Sequence, residues 1–414
     1  MTKAKSIRGM HDLIGEDFLS QKEIIKIFES TVHNFNFKPI ETPIMEFNEV
    51  FSRTLGLSSD VVMKEMYTFI DRSNDQLTLR PEGTAGIARA IISNGLTQNL
   101  PLKYFYYGPM FRYERPQKGR LRQFNQVGVE VYSKPGIEKD FEVIYLASNF
   151  LKDLNILDNL ILKINNLGNL EDRKNYKKIL KEYYLQNKSK LSKDSIIRLE
   201  KNPLRILDSK DEQDKEILLN APVITENLSQ VSSQYFNQVK ELLEDNGIDF
   251  TIDHKLVRGL DYYTDTAFEF QTNEDKRQNA ILAGGRYDKL ISLISTRDIP
   301  GIGWAAGVER LMSLINIENQ KEKKSKVLFA VQNEKYLLKS EILKQIYELD
   351  CIHETKINKN IKKIFTYADK NNFNFILLIG EEEDSKNKII LKNLNTKEQK
   401  IFNQSDIKLV NEIR

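Results

Sequence analysis

The sequence predicts a chain of mixed helix and strand, α+β over most of its length with a small α/β domain at its end. Three observations point there. Residues 102–132 read as two long strands joined by a basic connection, residues 171–246 change to a Lys/Glu/Leu-rich helical pattern, and beyond a polar run at 319–325 short apolar strands alternate with helical stretches. At 414 residues the chain holds two or three domains, each large enough for its own core. With 40% hydrophobic and 29% charged residues it reads as a soluble globular protein, and no apolar run approaches the length that spans a membrane.

Charge and cysteine content narrow the function classes. A net charge of +3 is small, so contact with a polyanion must rely on local clusters such as Arg115, Lys118, Arg120 and Arg122. The single cysteine, Cys351, excludes an internal disulfide. The four histidines, His11, His33, His254 and His353, are too scattered to suggest a metal site, so none is expected, and a reducing cytoplasm fits.

Each element can be justified in order. Residues 17–34 place Phe18, Leu19, Ile24, Ile25, Ile27, Phe28 and Val32 near a helical period, which predicts a long amphipathic helix. The next segment, 37–45, carries Pro39 and Pro43 and is restricted to an edge strand or an irregular connection, either a subunit interface or plain packing. Leu77-Thr78-Leu79-Arg80 then predicts a short strand that breaks at Pro81 and feeds a helix from Ala85 to Ser93, with Thr84 as its N-cap. Glu82 falls in that sharp turn, where the helix dipole favours a carboxylate that could accept from a cationic ligand group. Glu82 and Thr84 could equally be a capping pair and nothing more.

The hairpin is the most informative stretch. On the strand 123–132, alternation puts Phe124, Gln126, Gly128 and Glu130 on one face and Val127, Val129 and Val131 on the other. The valines belong in a core. A slip of one residue would bury the polar set in their place, so that face is expected to hold something polar. Arg112, on the incoming strand, shares its side with Tyr104, Tyr106, Gly108 and Met110 and points toward Gln126 and Glu130. The plain alternative is an exposed sheet face with an ordinary salt bridge.

Strand-like sequence returns at 248–257, followed by Arg258-Gly259-Leu260-Asp261-Tyr262-Tyr263, whose phenols could bond a polar ligand or simply fill a core. The glycines of Ala283-Gly284-Gly285-Arg286-Tyr287-Asp288 allow close approach by a ligand or a neighbouring strand. The run from Gly301 to Leu311 predicts a strand entering a helix with Arg310 near its start, facing a phosphate or paired with Glu309 or another acid on a solvated face. In the last part, 327–331 and 375–379 predict buried strands and 336–349 and 360–371 predict helices, with Lys356, Lys359, Lys362 and Lys363 on a face that could contact RNA or only water.

Taken together, these segments resemble the histidyl-tRNA synthetases of class II over nearly the whole chain. The hairpin is similar to the second class II motif in Gly108-Pro109-Met110-Phe111-Arg112 and Arg120-Leu121-Arg122-Gln123-Phe124, and the segment ending at Arg310 to the third. The two segments Leu256–Tyr263 and Ala283–Asp288 resemble the family's histidine-specific elements. The resemblance implies an antiparallel sheet flanked by helices, with a catalytic core in 1–165 and 248–318, a helical insertion in 166–247, a linker in 319–326 and an anticodon-binding α/β domain in 327–414. It implies Arg112, Arg258 and Arg310 as catalytic cations, and Arg112, Arg120, Phe124 and Arg310 as the ATP site. Histidine would be held by Glu82, Thr84, Arg112, Gln126, Glu130, Arg258, Tyr262 and Tyr263, with Glu130 and Tyr263 reading the imidazole. The tRNA acceptor end would meet Arg115, Gln117 and Lys118. ATP with magnesium is then a substrate with no prosthetic group needed, the partners are histidine and its tRNA, and a homodimer through 17–45 is expected.

The chemistry accounts for these residue types, since a carboxylate attacking the α-phosphate of ATP brings two anions together and needs fixed cations. Two departures stand out. Leu13-Ile14 replaces the family's usual Leu-Pro, and the glycine-containing turns expected after the first strand of the C-terminal domain are missing. The chief alternative is a non-catalytic, histidine-responsive regulatory subunit of ATP phosphoribosyltransferase. Such a protein typically lacks the C-terminal domain and the full arginine set.

Overall fold

The computed structural model describes residues 4–56, 59, 61–117, 119–207, 209, 211–257, 260, 262–272, 279–315, 324–336, 351–404 and 413. They fall into two compact units, Met1–Asn316 and Ile317–Arg414. The larger opens with helix α1 (Glu16–Asn34), whose Ile24, Phe28 and Val32 recur every fourth residue and so share one buried stripe. The proline-containing segment gives only a two-residue edge strand, β1 (Lys38–Pro39). Then follow β2 (Met45–Phe47), α2 (Asn48–Thr54), β3 (Tyr67–Ile70) and β4 (Gln76–Leu79), with the three strands paired as a small sheet in the order β2-β4-β3.

Helix α3 (Thr84–Ser93) leads to the hairpin of β5 (Leu102–Phe111) and β6 (Gln123–Tyr132). Next come α4 (Ile137–Asp153) and β7 (Leu160–Asn166). The insertion supplies α5 (Leu170–Gln186), α6 (Lys193–Lys201), α7 (Glu212–Leu219) and α8 (Gln230–Asp245). The chain returns through β8 (Thr251–Ile252), β9 (Thr264–Thr272), β10 (Ala280–Arg286) and β11 (Gly301–Gly307), which runs into α9 (Val308–Met312).

Among the described residues the main sheet has the order β1-β5-β6-β11-β10-β9-β7-β8. Its six inner strands are antiparallel, and only the two-residue edge strands pair in parallel. One face carries Val127, Val129, Val131, Phe268, Phe270 and Trp304 against α1, α4 and α8. The other carries Tyr106, Tyr132 and Ala267, with Tyr287 just beyond β10, against α2 and α3. The predicted alternation on β6 is therefore observed, and its polar face is turned toward the second cluster.

Some local expectations shift. The strand expected at 248–257 shrinks to β8, because the chain turns at once and the Asp253 carboxylate accepts from Lys255 N at 3.0 Å. Helix α3 begins at Thr84 itself, and its free N–H groups are capped by Glu82 rather than by the threonine hydroxyl. Buried Arg80 donates to the carbonyls of Thr42 and Pro109 at 2.8 and 2.9 Å, tying the segment before β2 to β5. A Cβ at Gly108 would lie 2.5 Å from that guanidinium, which is why a glycine with φ of 152° stands there.

The smaller unit has β12 (Lys326–Val331), β13 (Ile352–Ile357), α10 (Ile361–Lys370), β14 (Phe375–Ile379), α11 (Glu381–Ser385), β15 (Lys388–Asn393) and β16 (Gln399–Asn403). Its sheet, in the order β13-β12-β14-β15-β16, is parallel in its first three strands and antiparallel after them. Helix α10 lays Ile364 and Ala368 on Leu328, Ala330, Ile376 and Leu378. Most of the helix expected at 336–349 lies outside the described residues, as does most of the linker at 319–326.

Phe28 joins α1 to the sheet through edge-on contacts with Phe105, Phe150 and Trp304 at ring separations of 5.8, 5.3 and 5.8 Å. Phe28→Ala is expected to destabilise the larger unit by about 3–5 kcal/mol. Trp304, the sole tryptophan, reports this as a lowered urea midpoint in fluorescence.

Candidate active site

The polar face of β6, the turn before α3, the tyrosine pair and the end of β11 enclose a cavity of about 280 Å³. Its inner end is acidic and aromatic. Glu82 accepts from Thr84 N at 2.7 Å and from Ala85 N at 2.8 Å, so the carboxylate both caps α3 and faces the cavity. Burial pushes its carboxyl above the ordinary value, against the pull of those N–H groups and of Arg112.

Glu130 lies just behind this wall, only 1% exposed. One carboxylate oxygen accepts from the Thr84 hydroxyl at 2.7 Å, and the other accepts a short hydrogen bond from the Tyr287 phenol. Burial drives Glu130 well above the usual carboxylate range, the Tyr287 and Thr84 hydroxyls draw it back, and Glu82 adds to the rise. Room for this arrangement comes from glycine. A Cβ on Gly303 would lie 2.7 Å from both the Glu130 carboxylate and the Tyr287 oxygen. A side chain at Gly83 or Gly128 would collide with the ring of Tyr106.

Tyr262, Tyr263 and Tyr287 form one aromatic wall, with ring centroids 4.7, 5.6 and 6.2 Å apart. Beside them Gln126 is buried, and among the described residues its Oε1 has no hydrogen-bond partner. A buried acceptor left open at a cavity wall is costly until a ligand donates to it.

The outer end is cationic. Arg112 donates from Nε to Pro81 O at 2.9 Å, which fixes it to the turn bearing Glu82, and its guanidinium lies 5.3 Å from the Phe124 ring centre. Arg120 reaches Glu114 at 3.2 Å. Arg310 bonds Gly119 O at 3.2 Å and Ala280 O at 2.6 Å, joining α9 to the hairpin connection and to β10. Burial, and then the neighbouring Arg120, hold the Arg310 guanidinium below its ordinary value. These arginines are thus crowded in a way that an anion would relieve. The alternative partner considered for Arg310, Glu309, is engaged elsewhere: it accepts from Asn125 N at 2.9 and 3.0 Å and from Asn125 Nδ2 at 2.9 Å.

Of the residues picked out in the sequence, the structure brings Glu82, Thr84, Arg112, Arg120, Phe124, Gln126, Tyr262, Tyr263 and Arg310 to the cavity wall, with Glu130 behind it. Arg115 and Gln117 are exposed on the hairpin connection, where Gln117 lines an adjoining groove with His11 that shares Leu121 with the cavity. Arg258 and Lys118 lie outside the described residues. The sequence reading did not single out Tyr287, Glu114 or Glu269. Tyr287 lies within Ala283–Asp288, the segment likened to a histidine-specific element, but its contacts with Gly301 and Gly303 arise only when the strands pair. The neighbouring Arg286 is buried in ion pairs with Asp140 and Asp288, which hold the tyrosine's backbone in place.

The antiparallel sheet thus sets a glycine-lined acidic pocket beside arginines from the hairpin and from the final strand-helix junction. A family model described as histidyl-tRNA synthetase matches residues 9–311, and one described as an anticodon binding domain matches 329–413. The chain is 43% identical over 399 residues to a histidine–tRNA ligase of Rhodospirillum rubrum, covering 96% of each chain. It is 42% identical over 410 residues to that of Rickettsia bellii, covering 97% of each. The apo histidyl-tRNA synthetase of S. aureus superposes with a TM-score of 0.78 at 32% identity, over 99% of this chain and 100% of that one. The chain belongs to the histidyl-tRNA synthetase family.

The raised Glu130 carboxyl has a thermodynamic signature. The folded state holds this proton more tightly than the unfolded one. Its contribution therefore falls as pH rises from the ordinary carboxylate range through the raised value, and the full penalty is felt above it. Glu130→Gln is expected to raise the unfolding temperature at about pH 8, with the difference shrinking toward about pH 4. Calorimetric scans across that range would check the sign.

Proposed function

We propose that the protein is a histidine–tRNA ligase: it activates L-histidine with ATP to histidyl-adenylate and pyrophosphate, then passes histidine to the 3′ end of its tRNA. The observation that carries this reading is the buried Glu130 carboxylate, clamped by Thr84 and Tyr287 behind a cavity whose opposite end is lined with arginine. An amino acid with a polar, two-nitrogen side chain suits a pocket built from buried hydrogen-bonding groups. Such a pocket rejects ligands that leave them unpaired by roughly 10⁴–10⁵. The ammonium group meets Glu82, Thr84 and the open Gln126 acceptor. The imidazole lies against Tyr263 and the Glu130 region.

Arg112 bridges the histidine carboxylate and the α-phosphate, Arg120 and Arg310 take the distal phosphates, and Phe124 stacks under the adenine. Magnesium arrives with ATP as part of the substrate. In-line attack concentrates negative charge between the two reactants, and fixed guanidinium groups already anchored to carbonyls stabilise it without reorganising. Arg258 is assigned the opposite side of the α-phosphate from its place in the sequence motif, and Arg115, Gln117 and Lys118 the acceptor end. The regulatory-subunit alternative is not favoured, given the arginine set around the cavity and the C-terminal unit matched by the anticodon-binding model.

Pyrophosphate exchange with ATP, run with each amino acid separately, tests the reading: exchange with histidine alone is expected. In the same assay Arg310→Ala is expected to raise the KM for ATP at least tenfold with little change in the KM for histidine, because its charge faces the phosphates. No exchange with any amino acid, in a protein that still binds histidine, would favour the regulatory alternative.

A cytoplasmic homodimer completes the proposal. Ile44, Met45 and Phe47 on the β2 segment are 45, 50 and 57% exposed, and Phe69 and Ile70 on β3 are also exposed, an apolar set suited to a second copy. Light scattering near micromolar concentration is expected to give twice the chain mass. Met45→Glu combined with Phe47→Glu is expected to reduce it to one.

A further inference from the structure

The helical insertion is bonded to the cavity wall at a particular place. Its first and last helices are locked together: Asp172, in the first turn of α5, accepts from Ser229 N at 2.9 Å, from Ser229 Oγ at 3.1 Å and from Ser232 Oγ at 2.5 Å, all at the start of α8. Asn169 caps α5 by accepting from Glu171 N and Asp172 N at 2.9 and 3.0 Å. Just before this knot, bonds run from β7 and the turn after it to both ends of the segment bearing the tyrosine pair. Asn165 Nδ2 donates to Leu256 O at 3.0 Å on the entering side. On the leaving side Leu167 N donates to Asp265 O at 2.7 Å and Asp265 N to Gly168 O at 3.0 Å, holding Asp265 at a φ of 44°. Between them the Arg173 guanidinium donates a short hydrogen bond to Tyr263 O.

The bonds from Asn165, Leu167 and Gly168 belong to β7 and the turn after it, whereas Arg173 stands on the insertion's own helix. We propose that the insertion positions the tyrosine wall of the histidine pocket, and that Arg173 is the positioning residue that transmits its placement to Tyr263. This rests on the reading of the cavity as a histidine site. The route is one of direct contact: the Tyr263 ring packs 6.2 Å from that of Tyr287, and Tyr287 holds the Glu130 carboxylate. A shift of the insertion therefore moves the group that faces the imidazole while leaving Arg112, Arg120 and Arg310 on the hairpin and α9 untouched. The coupling predicts an effect on histidine binding that is separate from ATP binding.

The test compares Arg173→Ala, Arg173→Lys and Arg198→Ala in the full chain. Arg198 also donates to a carbonyl, that of Arg205 at 3.3 Å, but wholly within the insertion. In histidine-dependent pyrophosphate exchange, Arg173→Ala is expected to raise the KM for histidine about tenfold while kcat and the KM for ATP change less than about threefold. Lysine, which keeps one charged donor, restores most of the loss, and Arg198→Ala leaves the KM for histidine unchanged. Hydrogen exchange on the unliganded proteins reads the tether without activity: the amides of Leu167 and Asp265 are expected to exchange faster in Arg173→Ala and normally in Arg198→Ala. An unchanged KM for histidine together with unchanged protection at these amides would overturn the proposal, as would an equal KM shift in Arg198→Ala. If the native protein shows no histidine-dependent exchange at all, the functional reading fails, and the amide protection alone still decides whether Arg173 holds this segment.

Discussion

A carboxylate at position 130 is expensive to bury, and much of the site follows from making that burial tolerable. A buried carboxyl without donors would be too costly to ionise. The fold meets the need with two hydroxyls from distant parts of the chain, Thr84 at the start of α3 and Tyr287 after β10. Those hydroxyls reach Glu130 only because the intervening positions lack side chains. Gly303 leaves space beside the carboxylate and the phenol, Gly301 leaves space for the Tyr287 ring, and Gly83 and Gly128 admit Tyr106. Gly301 and Gly303 are thus steric consequences of one buried acid, and Gly83 and Gly128 of the tyrosine ring beside it.

The same cavity separates its charges along its length. Acidic and phenolic groups crowd the inner end, where burial raises Glu82 and Glu130, while the outer end gathers Arg112, Arg120 and Arg310 with Glu114 among them. Burial disfavours the charged form at both ends, in Glu82 and Glu130 at one and in Arg310, which Arg120 also opposes, at the other. On the proposed reading, a substrate pair with an ammonium group at one end and a triphosphate at the other would relieve both.

What the sequence made legible depended on how local the determining signal was. The strand 123–132 and the core placement of its valines followed from a strict two-residue period, and the structure has β6 at those residues. Thr84 was misread as a cap because a capping rule sees only nearby residues. In the fold its hydroxyl is claimed by Glu130, 46 positions away, and Glu82 takes over the helix amides. The strand at 248–257 failed for a related reason, since apolar content alone could not foresee the turn at Asp253. Tyr287 falls within a segment likened to a histidine-specific element but was given no role of its own, because its bond to Glu130 exists only once β6, β11 and β10 lie side by side. The Arg173 bond to Tyr263 joins residues 90 apart and leaves no periodic trace.

The strand order β5-β6-β11 also bears on how the chain is made. Beyond its hairpin partner, β6 pairs on its other edge with β11, which begins roughly 170 residues after β6 ends. During synthesis one edge of the hairpin therefore stays open while the helical insertion is made and can condense around its own core of Tyr176, Leu180 and Tyr184. The final strand to emerge from the larger unit is the one that closes the sheet and brings Arg310. Any chain cut short before it therefore leaves that edge of β6 without its partner, and an unpaired edge is a template for association with another chain.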